Sequence, residues 1–180
     1  MKGIVFTEFL ELVEETFGLE TVEEIIEKSN LPSQGAYTSI GTYDFSEMLA
    51  LIGNLSEKTK MSVDKLLHVY GLHFFSVIQR DYPKILENYS NAIDLLSSVE
   101  SHIHVEVRKI YPDAELPRFE VVEQKQNSLT MVYYSSRSMY AFGLGLMEKA
   151  FEHYNSSASI SYEKMKEDGS EVKFVILEHE

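Results

Sequence analysis

Cysteine is absent from the 180-residue chain. Disulfides, thiolate zinc sites, thiolate haem ligation and cysteine nucleophiles are therefore excluded, and the redox compartment cannot be read from thiol usage. Positive charge is also scarce: 16 Lys and Arg stand against 29 Asp and Glu, a net charge of -13. That balance argues against a nucleic-acid partner, because phosphate contacts need a basic footprint. No apolar run approaches the ~18 residues a membrane span requires. The opening "MKGIVFTEFLELVEETFG" has one lysine and an apolar run interrupted by Glu8, unlike a secretory leader. A cytoplasmic protein with no membrane association is expected.

What is present fits one ordered domain. Apolar residues make up 44% and charged residues 25%, ordinary globular values. The first half has helical period. Phe6, Phe9, Leu10, Val13 and Phe17 mark a helix over 3–17, with Gly18 as its stop. Thr21 with Glu24, and Asp44 with Glu47, have capping-box spacing and predict two helix starts. Ser62 opens a long helix that ends before Pro83, and a further helix is predicted from about Ser90 to Ile110. After Pro112 the period shifts towards 2. Strands are predicted over 118–125, 128–136, 156–165 and 171–178, with a helix capped by Ser138 between the second and third and a turn at Asp168-Gly169. Helices first, then a small antiparallel sheet with one embedded helix, is an α+β fold.

Without cysteine, the six histidines (His68, His73, His102, His104, His153 and His179) are the natural metal or haem ligands. His102 and His104, two apart on a helix, face about 200° apart and cannot chelate one ion together. No HExxH pattern exists, so a tetrahedral metal site is disfavoured, whereas a single axial histidine to a haem needs only one residue. Spacing does not choose which. Ser135 lacks the Gly-x-Ser-x-Gly elbow of an exposed nucleophile, and the glycines of "FGLGLM" belong to no phosphate loop. "YYSSRSMYAF" is more informative. Read as strand, it puts Tyr133, Ser135 and Arg137 on one face at the mouth of a helix. Helix N-termini favour negative charge and an arginine fork suits a carboxylate, so this is either a carboxylate site or an arginine paired with a surface Glu.

Together with "MKGIVF", "HVEVRKIYPDAELPRF" and "GLGLMEKA", the Tyr-x-Ser-x-Arg pattern resembles the H-NOX family across essentially the whole chain. These haem domains sense nitric oxide or oxygen and are similar to the haem domain of soluble guanylate cyclase. The resemblance implies a bacterial gas sensor built as one domain over 1–180, with a helical subdomain to about 60 and a haem-ligating subdomain from about 61. The haem, haem b, would lie buried between them. Tyr133, Ser135 and Arg137 would hold its propionates. The family's axial histidine stands thirteen residues before a proline that presses on the porphyrin, which selects His104 and Pro117. Val5, Phe9, Phe74, Ile78, Phe142 and Leu146 match positions on the gas side, where oxygen-binding members carry a tyrosine at the place of Phe142. With no donor there, the implied ligands are NO and CO, and oxygen is not held stably. Tyr140, two residues off, should face elsewhere. NO would weaken the bond to His104 and let its helix move. Because the chain ends soon after the last strand, no catalytic domain is expected. The output would then lie in a histidine kinase or a cyclic-di-GMP synthase or phosphodiesterase. The rival readings are a haem peroxidase, which lacks a distal acid–base group, and a haem-free module binding an apolar carboxylate.

Overall fold

The computed structural model describes residues 1–179, and the chain divides into two compact units, Met1–Leu66 and Leu67–Glu180.

In the first unit, α1 (Gly3–Phe17) buries Phe6, Phe9 and Val13 along one stripe. Gly18 ends it with φ +86°, a conformation that costs glycine little, and leads straight into α2 (Leu19–Lys28). The capping box expected at Thr21 does not form. The helix has already begun at Leu19, and the Thr21 hydroxyl donates to the Phe17 carbonyl at 3.0 Å. Helix α3 (Phe45–Thr59) is capped by Asp44, which accepts from the Ser46 N–H at 2.7 Å. Glu47 does not turn back to that cap. It is buried, and accepts from the Tyr37 hydroxyl at 2.9 Å and from the Ser33 hydroxyl, which ties the 31–44 connection to α3. Helix α4 (Val63–Asp81) starts behind Ser62, whose hydroxyl accepts from the Lys65 N–H at 3.2 Å, and runs on into the second unit.

Pro83 opens the short α5 (Pro83–Leu86), where its fixed φ suits a first helical turn. The single helix expected over 90–110 is in fact three pieces. Asn91 caps α6 (Ala92–Ser97) by accepting from the Asp94 N–H at 2.8 Å. A π-helical turn follows over Val99–Ile103, and α7 (His104–Ile110) continues from it. The Ile103 N–H reaches the Ser98 carbonyl, five residues back, at 3.2 Å. This wide turn shifts the helical register from that of the single helix expected. Ile110 is 48% exposed, while His104 is only 8% exposed. The register shift turns an imidazole inward.

Four antiparallel strands follow in the order β1-β2-β4-β3: β1 (Arg118–Lys125), β2 (Ser128–Tyr134), β3 (Ser157–Lys164) and β4 (Glu171–His179). Leu129, Met131, Phe174 and Ile176 are fully buried on the two central strands. Helix α8 (Tyr140–His153) lies between β2 and β3 in sequence and buries Met147, Ala150 and Phe151. It approaches α4 closely: a Cβ on Gly145 would lie 2.3 Å from the His68 carbonyl oxygen, and one on Gly71 would lie 2.1 Å from that of Phe142. The α+β architecture is the one expected. Among the described residues, no helix is long and apolar enough to cross a membrane.

Candidate functional site

His104 begins α7 directly after the π-turn, with its side chain 10% exposed. Its Nδ1 lies 3.2 Å from Glu100 Oε2. An ionised carboxylate only accepts, so Nδ1 carries the hydrogen and donates it, which leaves the lone pair on Nε2. Burial pushes the His104 pKa below the usual imidazole value, and the neighbouring Glu100 charge offsets this only in part. The ring is therefore neutral at pH 7, the state a metal ligand needs. Burial also raises the Glu100 pKa, but this is outweighed by the Phe119 N–H and by His104, and the net shift is downward. The same Oε2 accepts from the Phe119 N–H at 3.2 Å. Glu100 thus fixes His104 to the first residues of β1. Sequence reasoning missed it, although its place one turn before His104 is the spacing at which helix side chains meet.

His102 has a different environment. Its side chain is 40% exposed, its Nδ1 lies 2.5 Å from the Tyr89 hydroxyl, and its Nε2 lies 3.9 Å from Glu106.

Phe119 links two parts of the site. Its ring is 6.0 Å from His104 and 5.5 Å from Tyr133, its antiparallel partner on β2. Pro117 stands two residues before it, at the end of the connection from α7.

Tyr133, Ser135 and Arg137 come together, though not as a strand face. β2 ends at Tyr134, and Ser135 to Arg137 form the turn that leads to α8. The Arg137 N–H donates to Ser135 Oγ at 3.1 Å, and the Met139 N–H donates to the Tyr133 hydroxyl at 2.9 Å. Ser138 is therefore not the helix cap. It takes a left-handed conformation, φ +52°, and Met139 precedes the first helical residue. Burial pushes the Tyr133 phenol upward against the Ser135 and Met139 hydrogen bonds, so it stays protonated. The Arg137 fork donates from Nη1 to the Glu115 carbonyl at 2.7 Å and from Nη2 to the Glu115 carboxylate. This is the pairing with a surface Glu that the sequence left open: one arm of the fork is on the carboxylate and the other on a backbone carbonyl, and Glu115 is 83% exposed. A carboxylate brought by a ligand fits the arm that the Glu115 carboxylate now holds.

Of the residues matched to the gas side, Phe74 and Phe142 meet with ring centroids 5.5 Å apart. Ile78 lies one turn beyond Phe74 on α4, and Leu146 one turn beyond Phe142 on α8. Val5 and Phe9 are one turn apart on α1 in the first unit, Phe9 fully buried and Val5 partly so. The structure adds Tyr70, which is completely buried with its ring 5.1 Å from that of Phe142. Tyr140 does face elsewhere, packing 5.3 Å from Tyr162 with Lys164 4.7 Å from its ring centre. Among the described residues, no group of three or more His, Cys, Asp or Glu is placed to hold a metal ion by itself. His104 Nε2 and the Tyr133–Ser135–Arg137 turn suit a group that brings its own metal coordination and its own carboxylates, as haem does.

Residues 2–162 match the haem-NO-binding family. No curated protein matches the chain. Among solved structures, the Fe(II) unliganded H-NOX protein from K. algicida is 64% identical, with a TM-score of 0.99 covering 100% of this chain and 97% of that one. The H-NOX from Shewanella woodyi in the Fe(II)CO ligation state is 36% identical, with a TM-score of 0.82 and 98% and 94% coverage. The H-NOX protein from S. oneidensis in the Fe(II)NO state is 22% identical and shares the fold, with a TM-score of 0.91 over the whole of both chains. With its sequence matched over most of its length, the chain belongs to the haem-NO-binding (H-NOX) family, whose members are haem-based gas sensors.

Proposed function

We propose that the protein is a ferrous haem b sensor that takes NO and CO but not oxygen, and that it controls a separate signalling protein in the bacterial cytoplasm. The observation that carries this reading is His104: a buried, neutral imidazole with Nδ1–H committed to Glu100 and Nε2 left for iron. When bound, ferrous haem supplies an iron with one position for a diatomic gas. Glu100 orients the ligating ring and raises its basicity, the usual work of a group behind a metal-bound histidine. Tyr133, Ser135 and Arg137 would hold the propionates, with Glu115 yielding the arginine fork. Pro117 would press on the porphyrin.

Selectivity follows from the six matched positions. Val5, Phe9, Phe74, Ile78, Phe142 and Leu146 carry no hydrogen-bond donor, and stable oxygen binding gains from one, whereas NO and CO bind without it. Tyr70 is a phenol buried beside Phe142, and it is assigned no donor role towards the gas. The same lack of an acid–base group argues for a sensor without catalysis. Relatives solved in Fe(II)NO and Fe(II)CO states are consistent with these ligands. A change of ligand would shift the balance between positions of the π-turn and α7, and a histidine kinase or a cyclic-di-GMP synthase or phosphodiesterase would read the altered surface. Replacing His104 tests the assignment. His104→Gly should lose haem during purification and regain it with added imidazole, and undiminished haem in that variant without imidazole contradicts the reading.

A further inference from the structure

Within the second unit, a cleft of about 270 Å³ opens beside α5, lined by neither His104 nor the Arg137 turn. Pro83, Leu86, Tyr89 and Tyr154 give it largely apolar walls. Gln79 and His153 complete it, with Gln79 Nε2 2.8 Å from His153 Nδ1. The amide nitrogen donates, so Nδ1 accepts and the neutral ring carries its hydrogen on Nε2, a donor on a cleft-lining residue. Two aromatic contacts stiffen this end: His153 lies 4.7 Å from Tyr154 and 5.8 Å from Phe75. The Tyr154 hydroxyl donates to the Leu86 carbonyl at 2.9 Å and pins α5 beneath α8. Glu87 lines the cleft and is exposed, so it places a negative charge there.

These features select a ligand class. The cleft is open to solvent, and its volume of about 270 Å³ leaves room for a bicyclic ring laid against its wall. Tyrosine and histidine walls favour a flat aromatic face. The lining residues bring one donor, the His153 ring N–H, and one acceptor, the Glu87 carboxylate, and a hydroxyl is a single group that can match either. Glu87, on a chain of net charge -13, disfavours an anion.

The cleft also connects to the segment before His104. Tyr89 lines it, and the Tyr89 hydroxyl is 2.5 Å from His102 Nδ1, inside the π-turn. At the other end of the same short segment, the Tyr82 hydroxyl is 2.7 Å from the Tyr111 hydroxyl, at the end of α7. Residues 82–89 therefore grip the π-turn and α7 at both ends. We propose that this cleft is a second ligand site, for a neutral hydroxylated bicyclic aromatic molecule, and that its occupancy reaches the π-turn through the Tyr89–His102 hydrogen bond. The proposal goes beyond gas binding and stands on contacts made by the chain itself.

The test uses the full-length protein as purified, with 2-naphthol and its anionic counterpart 2-naphthoate as probes. Calorimetry should give one site for 2-naphthol with Kd below about 1 mM, and 2-naphthoate should bind about tenfold more weakly. Glu87→Gln should narrow that difference. Hydrogen exchange should slow over 79–89 and 150–154, and also over 98–103 in the wild type but not in Tyr89→Phe. No heat at millimolar 2-naphthol, equal binding of the anion, or protection confined to other segments overturns the site. Protection of 98–103 that persists in Tyr89→Phe overturns the connection. Because these readouts come from the chain, the outcome is separate from whether His104 holds haem.

Discussion

One carboxylate decides how His104 presents itself. Glu100 shares a single oxygen between the His104 ring and the Phe119 N–H, both at 3.2 Å, and its other oxygen lies 3.8 Å from Arg108. Groups of this kind are worth about 10–100-fold in the hold on a metal centre. Glu100→Ala should therefore release haem to apomyoglobin on the order of tenfold faster than the wild type while the fold is retained. An unchanged rate would mean that the ring is fixed by packing alone. Oxygen behaviour is the second residue-scale prediction. Phe142→Tyr puts a phenol where Phe142 now meets Phe74, and should give a ferrous protein that holds oxygen in air. Tyr70 is the control, because its phenol is already buried beside Phe142. Added to Phe142→Tyr, Tyr70→Phe should leave the new oxygen binding unchanged, and its loss would assign the donor role to Tyr70.

At the scale of elements, two features set where these residues sit. The first is the contact between α4 and α8, in which a Cβ on Gly145 would meet the His68 carbonyl at 2.3 Å and the Leu72 nitrogen at 2.8 Å. Backbone atoms cannot step aside as a side-chain tip can. Gly145→Ala should cost about 1–3 kcal/mol in urea unfolding, the range for overpacking, and a neutral result would show that the helices separate freely. The second is the π-turn. Helices and strands were legible because periods of 3.6 and 2 show directly in α1, α4 and the four strands. The π-turn has no such period. It depends on Ile103 bonding to Ser98 rather than one residue later, a choice made by the folded surroundings, so 90–110 read as one helix. The Ser138 cap failed for a related reason: the Tyr133 hydroxyl takes the Met139 N–H, and the turn after β2 ends the strand before Ser135.

Across the whole molecule, spacing left His102 and His104 level, and only the resemblance chose between them. The structure supplies a physical ground for that choice, since His104 is 8% exposed and His102 is held by Tyr89 with its side chain 40% exposed. Of the two readings of the Tyr133, Ser135 and Arg137 triplet, a ligand's carboxylate or a surface Glu, the structure shows Arg137 on the exposed Glu115, a partner that was not legible because the two lie 22 residues apart and meet only in the fold. The net charge of -13 adds a long-range element: association with a partner's basic surface should be fast at low ionic strength and slow as salt rises. All of this converges on the cofactor and its gas. The most direct measurement is the absorption spectrum of the reduced protein under argon, then air, then NO. A ferrous haem on His104 beside an apolar wall gives the same Soret band under argon and freshly admitted air, and a new band under NO. A protein purified without haem after expression with iron and haem precursor, or a stable oxygen spectrum in air, contradicts it.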